Sequence, residues 1–184
     1  MKNRILFILF FVVLSAYIFV PKVFAENSSR SSAVLADSRT SALSDIRVKI
    51  LKEFLKSYNS PLAPFAGTFV ETADIYNLDW RLVTAISGVE STFGQQIPAN
   101  SYNGWGWGIY GNNVIYFSSW EDGIQTISKG LRERYMNQRG ATNVYEIGRT
   151  YAASPVWASH VEHYMNRISD FSILNPKDSL SISL

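Results

Sequence analysis

One carboxylate, Glu90, interrupts the stretch ISGVESTFG at residues 86–94, whose eight other residues are small, apolar or hydroxylated. On a helical wheel of about 100° per residue, Glu90 falls within the apolar arc that contains Ile86 and Phe93. The predicted helix closes at Gly94, and the dipole at a helix C-terminus disfavours negative charge. Partial burial also raises a carboxyl pKa, and an acid that keeps its proton near neutral pH is suited to general acid catalysis. The alternative is a glutamate at the rim of the core that only reaches outward to solvent.

The stretch after Glu90 is rich in aromatic residues and glycine. Seven of the nineteen residues from Tyr102 to Trp120 are aromatic, and glycines alternate with them in NGWGWGIYG at residues 103–111. Glycine at this density weakens both helix and strand, so we expect a long loop or one short β-hairpin. Aromatic faces beside a protonated acid indicate a sugar-binding cleft, although part of these rings could instead close the core. The candidate binding residues here are Tyr102, Asn103, Trp105, Trp107, Tyr110 and Tyr116, and Asn103 could bond either the loop backbone or a sugar amide.

Two acids, Glu121 and Asp122, are the candidates for a second catalytic carboxylate. The alternative is that both acids only stabilise a helix. They lie in the first turn of a helix that a capping box, Ser118-x-x-Glu121, opens, where acids cap the helix and interact favourably with its dipole. His160 and His163 lie three residues apart, but no third ligand motif is near. We therefore expect exposed helix histidines, no metal site and no organic cofactor.

The N-terminus has the features of a secretory signal. Lys2 and Arg4 precede an unbroken apolar run at residues 5–20, and VFA at residues 23–25 matches the pattern that signal peptidase cleaves. The alternative is an uncleaved membrane anchor, because the run approaches the length of about 17–25 residues that spans a bilayer. Either interpretation exports the rest of the chain, to the periplasm, the cell wall or the outside.

Charge and cysteine content exclude several classes of protein. The chain has 17 basic and 15 acidic residues, but without residues 1–25 it has 14 basic against 15 acidic residues. This balance leaves no basic stripe for nucleic acid. Because the chain has no cysteine, an exported domain must be held by its core, without disulfides or thiolate metal sites. We expect a monomer.

Helical periodicity dominates between a Ser-rich linker at residues 26–43 and a loose tail at residues 171–184. Apolar residues at spacings of three and four predict six helices, of which the third carries Glu90 and has Asp79 as its N-cap. The predicted ranges are about 46–58, 65–76, 80–92, 118–137, 142–153 and 154–168. The predicted fold is mainly α, a domain at residues 44–170 in which the aromatic loop lines a cleft.

Four segments resemble the lysozyme-like superfamily of peptidoglycan-cleaving enzymes. LDWRLVTAISGVESTFG at residues 78–94 is similar to the helix that presents the acid in lytic transglycosylases and bacterial endo-β-N-acetylglucosaminidases, so Glu90 matches the catalytic glutamate and Ser91 the residue after it. YNGWGWGIYG (102–111), FSSWEDGI (117–124) and YAASPVWA (151–158) resemble elements of the glucosaminidase branch, although the first is slightly longer and has Tyr110 in place of a lysine. The Gly-Leu-Met-Gln and Ala-Tyr-Asn-Ala-Gly elements of the transglycosylase branch are absent from the sequence.

The resemblance implies a lysozyme-like fold and cleavage of β-1,4 bonds between amino sugars in peptidoglycan strands, with Glu90 as general acid and base. It implies that Tyr151 lines the cleft as a hydrogen-bond donor or electrostatic stabiliser, and that Ser91 adjoins the substrate; a tyrosine packed at a helix join is the alternative for Tyr151. Because no second acid is obvious, the substrate's own 2-acetamido group would supply the nucleophile. The alternatives are a lytic transglycosylase with 1,6-anhydro-muramic products and an inactive glycan-binding module of the cell wall.

Overall fold

Apolar side chains at spacings of three and four residues form helices along most of the chain, as the sequence predicts. The computed structural model describes residues 46–108 and 113–174, with side chains up to residue 171. They belong to one compact unit that extends from Leu43 to Leu184. The helices are α1 at residues 46–57, α2 (Ala66–Ile75) after a 3₁₀ turn (Ala63–Phe65), α3 (Leu82–Ser91), α4 (Trp120–Gly130), α5 (Val144–Tyr151) and α6 (Trp157–Leu174).

The protein is mainly α, and α4 continues as a π-helical segment, Leu131–Asn137. Between residues 101 and 119, the described residues form an irregular loop in which Asn113 is a single bridge residue and no strand is present. The described residues on either side of 109–112 therefore show irregular backbone. Residues 109–112, with Tyr110, lie outside the described residues, as do the predicted signal at 1–25 and the linker at 26–43.

The predicted start of α3 is displaced by two residues. The helix begins at Leu82, and the residue before it is Arg81, so Asp79 is not its N-cap. The Asp79 carboxylate instead accepts a hydrogen bond from the Arg81 backbone N–H at 3.0 Å in the turn that leads into the helix. The guanidinium of Arg81 also donates to Asp79, at 2.8 Å from Nε, which holds the carboxylate in that turn.

The capping residues of α4 are shifted by one position from the prediction. Ser119 is the N-cap, and its Oγ accepts from the Asp122 backbone N–H at 3.2 Å. The Asp122 carboxylate accepts in return from the N–H and the hydroxyl of Ser118, each at 2.9 Å. The predicted pairing of Ser118 with Glu121 is therefore wrong, because Asp122 is the acid that reaches back across the first turn.

The predicted C-terminal tail begins too early. Helix α6 continues to Leu174, so the tail does not start at residue 171. The extra turn is held from the side, because the ring of Phe171 packs edge-on against Phe54 of α1 with 5.8 Å between centroids. Residues 175–184 lie outside the described part of the chain.

Helix α3 lies at the centre of the helical domain, where it packs against α2, α4 and α6. All seven residues from Leu82 to Gly88 are buried. The side of the helix that carries Gly88 is buried as well, because α6 packs against it. The contact requires a glycine: a Cβ at Gly88 would lie 2.6 Å from the ring of Phe93 and 3.0 Å from that of Tyr164.

Among residues 46–108 and 113–174, no helix combines the length and the apolar character needed to cross a membrane.

Candidate active site

Helix α3 ends abruptly, in a turn that follows Glu90 by two residues. Thr92, Phe93 and Gly94 all have positive φ, at 53°, 56° and 82°. This region is uncommon for threonine and phenylalanine, so neighbouring contacts must hold the turn. The Ser60 hydroxyl donates to the Phe93 carbonyl at 2.7 Å, and the Gly94 N–H donates to Ser91 Oγ at 2.8 Å. The helix therefore stops at a fixed point and leaves Glu90 in its last turn, exposed to solvent.

Ser91 ties the end of α3 to the glycine-rich loop. Its hydroxyl is buried and donates to the Gly104 carbonyl at 2.7 Å. The sequence placed Ser91 beside the substrate, whereas in the structure its hydroxyl contacts α3 and the loop backbone. This bond sets the distance between the loop and the helix that carries Glu90.

Asn103 and Trp105 also hold the loop in place. The Asn103 amide donates to the carbonyls of Trp107 and Ile115 at 2.9 and 3.0 Å, and its oxygen accepts from the Trp107 N–H at 3.0 Å. Of its two predicted uses, the structure shows the bond to the loop backbone. Trp105 is fully buried and its indole N–H donates to the Val83 carbonyl at 2.9 Å. Its prediction as a sugar-stacking residue is corrected, because neither face of its ring reaches solvent.

The loop passes directly over the Glu90 carboxyl at Gly106. This glycine has φ of 62°, and a Cβ at its position would lie only 2.8 Å from Glu90 Oε2. The side chain of any other residue would lie too close to the carboxylate in its present position. The close approach of the loop to Glu90 therefore requires glycine at position 106. Sequence reasoning missed Gly106 as a site residue, and the glycine spacing was the only signal.

The other oxygen of Glu90 is bound by Trp157, the first residue of α6. The indole N–H of Trp157 donates to Glu90 Oε1 at 2.7 Å. Although part of the Glu90 side chain reaches solvent, partial burial of its carboxyl raises the pKa of Glu90, and the hydrogen bond from Trp157 offsets that effect only in part. The helix C-terminus acts in the same direction as burial. The carboxyl is therefore fixed in position and shifted toward its protonated form.

Tyr151, at the end of α5, packs against Trp157, the residue that binds Glu90. Its ring stacks on that of Trp157 with centroids 4.7 Å apart and 22° between planes, and its hydroxyl donates to the Trp105 carbonyl at 2.8 Å. Burial, with smaller effects from the charge of Glu90 and from Tyr135, raises the pKa of Tyr151 well above its usual range. The phenol is neutral, and its proton is bound by the loop backbone. The structure thus places Tyr151 beside the acid, next to Trp157.

Four rings pack in one continuous cluster beside Glu90, which we call the aromatic wall: Trp107, Tyr135 and Tyr151, which are half-buried, and Trp157, which is buried. Trp107 is half-buried and lies flat on α4, since a Cβ at Gly130 would be 2.6 Å from its ring. Tyr102 and Tyr116 are exposed on the loop, and Tyr102 meets the edge of Trp120 at 5.5 Å.

Neither candidate for a second carboxylate is engaged with Glu90. The bonds that Asp122 accepts from Ser118 lower the pKa of its carboxyl, so it is an ionised cap of α4. Glu121 is half-buried in the same first turn. Among the residues that the structure describes, no carboxylate contributes to the pKa shift of Glu90. The site as described holds one acid.

His160 and His163 are exposed on α6. No group of three or more histidine, aspartate or glutamate side chains with the geometry of a metal site occurs within the described ranges.

Trp157 is the second site residue that sequence reasoning missed. It lies inside the segment YAASPVWA (151–158), whose resemblance to the glucosaminidase branch was the only sequence signal for it. No protein-family model matches this chain, and no curated protein matches it in sequence.

Proposed function

We propose that this chain cleaves β-1,4-glycosidic bonds between amino sugars of peptidoglycan strands, with Glu90 as general acid and then as general base. The observation that carries the proposal is the Glu90 carboxyl itself. It lies at a helix end, one oxygen accepts from the indole of Trp157, the other faces the gap left by Gly106, and burial raises its pKa. An acid of this kind is what protonation of a leaving oxygen requires.

The surroundings of Glu90 support a sugar as the substrate. Three rings of the aromatic wall, those of Trp107, Tyr135 and Tyr151, are only half-buried, and aromatic faces stack on the C–H faces of pyranose rings. Tyr102 and Tyr116 add exposed rings on the loop. The resemblance of residues 78–94 and 151–158 to the lysozyme-like superfamily points to the same substrate class, with the glucosaminidase branch favoured.

A single acid suffices if the substrate provides the nucleophile. Glu90 donates its proton to the glycosidic oxygen while the carbonyl oxygen of the 2-acetamido group attacks the anomeric carbon, and the bond to the leaving sugar breaks. The ionised Glu90 then takes a proton from water, whose oxygen attacks the same carbon and opens the cyclic intermediate. If the sugar's own 6-hydroxyl takes the place of water, a 1,6-anhydro product results.

Trp157 suits this cycle because its N–H already points at Oε1. Hydrogen bonds to a charged acceptor are stronger than those to a neutral one, so this bond strengthens when Glu90 gives up its proton. The indole thereby stabilises the carboxylate that must act as base in the second half of the reaction. Two-carboxylate glycosidases assign that stabilising or nucleophilic role to a second acid.

The test is digestion of purified peptidoglycan by the chain and by two glutamine variants. Glu90→Gln should lower the rate by roughly a hundredfold to ten-thousandfold, the contribution typical of general acid catalysis. Glu71→Gln, an exposed glutamate of α2, is the matched control and should retain the parent rate. A Glu90→Gln variant as fast as the parent would refute the assignment of the acid.

Mass spectrometry of the products separates the alternatives. Reducing ends of N-acetylglucosamine are expected for the glucosaminidase, and 1,6-anhydro-muramic ends would identify a lytic transglycosylase. Retention on insoluble strands with no cleavage by the parent would identify a glycan-binding module.

A further inference from the structure

The aromatic wall leads away from Glu90 to a groove that carries two arginines. A cavity of about 310 Å³ is lined by Tyr135, Arg139, Arg149 and Thr150, together with Gly140, Ala141 and Glu146. Arg139, Arg149 and Thr150 are exposed. We refer to this cavity as the arginine groove.

Ring contacts connect the arginine groove to the acid without a gap. Trp157 binds Glu90 and stacks on Tyr151, and the Tyr151 ring lies 5.7 Å from that of Tyr135. The guanidinium carbon of Arg139 lies 5.6 Å from the centre of the Tyr135 ring, in cation–π contact. Trp157 is buried, but Trp107 and Tyr135 are half-buried, their centroids lie 6.1 Å apart, and Trp107 directly follows Gly106, which packs on Glu90. A strand bound over Trp107 and Tyr135 would therefore reach Arg139.

The arginine groove has a net positive charge that its own acid does not neutralise. None of the ion pairs within 4.0 Å among residues 46–108 and 113–171 involves Arg139 or Arg149. Glu146 also lines the groove, but its Oε2 accepts from the N–H and the hydroxyl of Thr142 at 2.7 and 3.0 Å. These bonds, with a smaller contribution from Arg149, lower the pKa of Glu146. Its carboxylate is therefore ionised and hydrogen-bonded at the start of α5, and one negative charge faces two arginines in the groove.

We propose that Arg139 and Arg149 bind a carboxylate carried by the substrate strand, at a position removed from the bond that is cleaved. The inference rests on the proposed function and narrows it to strands with acidic substituents, such as the peptides of peptidoglycan. Guanidinium groups match carboxylates by paired hydrogen bonds, and a neutral strand offers them no partner. The arginine groove then distinguishes peptide-bearing glycan from a chitin-like polymer.

The test compares soluble peptidoglycan strands before and after their carboxylates are converted to amides with carbodiimide and ammonia. The parent should show a KM about fivefold lower for the untreated strands, the scale of partly exposed ion pairs. In Arg139→Gln/Arg149→Gln this preference should disappear, and Arg139→Lys/Arg149→Lys should restore part of it. The effect should appear in KM rather than in kcat, because the groove is removed from the bond that breaks.

Lys52→Gln/Arg167→Gln is the matched control, since it removes the same charge from exposed positions on α1 and α6. Two results would refute carboxylate binding by the arginine groove and leave the proposed function intact. The control could lose the preference for untreated strands as fully as the double arginine variant, or the parent could show no such preference. If the parent cleaves neither strand, the proposed function fails, and binding decides the inference separately. On insoluble strands with free carboxylates, the double arginine variant must then be retained less than the parent, and on amidated strands the two must be retained equally. Equal retention of the two proteins on strands with free carboxylates refutes the inference.

Discussion

The two ends of α3 carry two carboxylates with opposite properties. Asp79 precedes the helix and Glu90 lies in its last turn. Burial alone would raise the pKa of both, but the hydrogen bonds and charge of Arg81 hold the pKa of Asp79 below its usual value. Glu90 has no such partner; its donor is the neutral indole of Trp157, and its pKa is raised. The pKa of Glu90 is thus raised because its carboxyl is held in place by a neutral donor and, among the described residues, has no cation beside it.

A second difference between the two ends of α3 is a cavity of about 730 Å³. It lies at the Asp79 end of α3 and is lined by Asp79, Arg81, Arg132 and Glu162 among others, but not by Glu90. Arg132 donates to the Tyr76 carbonyl at 2.6 Å, and Glu162 accepts from Tyr145 at 2.6 Å. The charged groups there are used to hold helices together. At the Glu90 end, by comparison, no charged side chain in the described part of the chain contributes to the pKa of the carboxyl. Trp157 binds its Oε1, and Oε2 can accept a hydrogen bond from another group.

The largest expected effect comes from closing the gap above Glu90. The methyl group of Gly106→Ala would lie 2.8 Å from Glu90 Oε2, closer than van der Waals contact, so the carboxylate must rotate away from its present position. We expect kcat to fall roughly a hundredfold, as small displacements of a reacting group do. Gly140→Ala is the control, because Gly140 also has a positive φ, of 73°, but an added Cβ meets nothing within 4 Å. Equal losses in the two variants would mean that backbone strain, and not Glu90, explains the result.

Removing the cation at the other end should affect stability instead of activity. Arg81→Gln leaves the Asp79 carboxylate without its ion pair at a partly exposed position, which should lower the free energy of unfolding by about 0.5–1 kcal/mol. Urea denaturation at neutral pH measures this loss, and kcat per folded molecule should stay near that of the parent. A drop in kcat as large as the one in Gly106→Ala would show that the two ends of α3 are not independent.

Replacing the neutral donor tests the pKa of the acid directly. Trp157→Phe keeps a ring for stacking on Tyr151 but removes the N–H that favours the ionised form of Glu90. The pKa of Glu90 should rise further, so the alkaline limb of the pH–rate profile, which requires the protonated acid, should move to higher pH. We expect kcat to fall about tenfold, since one charge-assisted hydrogen bond is lost. A lower kcat with an unmoved alkaline limb would contradict a role for the indole in the pKa.

The smallest effect concerns stability against pH. The folded chain holds the Glu90 proton more tightly than the unfolded chain, so this stabilisation is present below the unfolded pKa and is lost as pH rises through the raised folded pKa. Glu90→Gln has no such loss, and should melt a few degrees above the parent at neutral pH. The difference should shrink below the ordinary glutamate pKa, whereas Glu71→Gln should track the parent throughout. A destabilised Glu90→Gln at neutral pH would contradict the raised pKa.

Local patterns predicted much of this molecule. Helix α3, the place of Glu90 in its last turn and the irregular backbone of the described residues after Tyr102 follow from residue spacing and glycine content. The burial of Trp105 does not, because it depends on Gly123 of α4, where a Cβ would lie 2.6 Å from the Trp105 ring. The contact of Trp157 with Glu90 joins residues 67 positions apart, and only packing of α6 along α3 creates it. Sequence periodicity indicated which side chains could react, and tertiary packing determined which of them meet.

The most direct measurement is the NMR titration of the side-chain carboxyls, with Glu90→Gln and Asp79→Asn used to assign the two resonances. The account predicts that Glu90 titrates above the ordinary glutamate range while Asp79 titrates below the ordinary aspartate range in the same sample. A Glu90 that titrates at or below the ordinary value would contradict it, because Glu90 would then be ionised near neutral pH and unable to protonate a glycosidic oxygen.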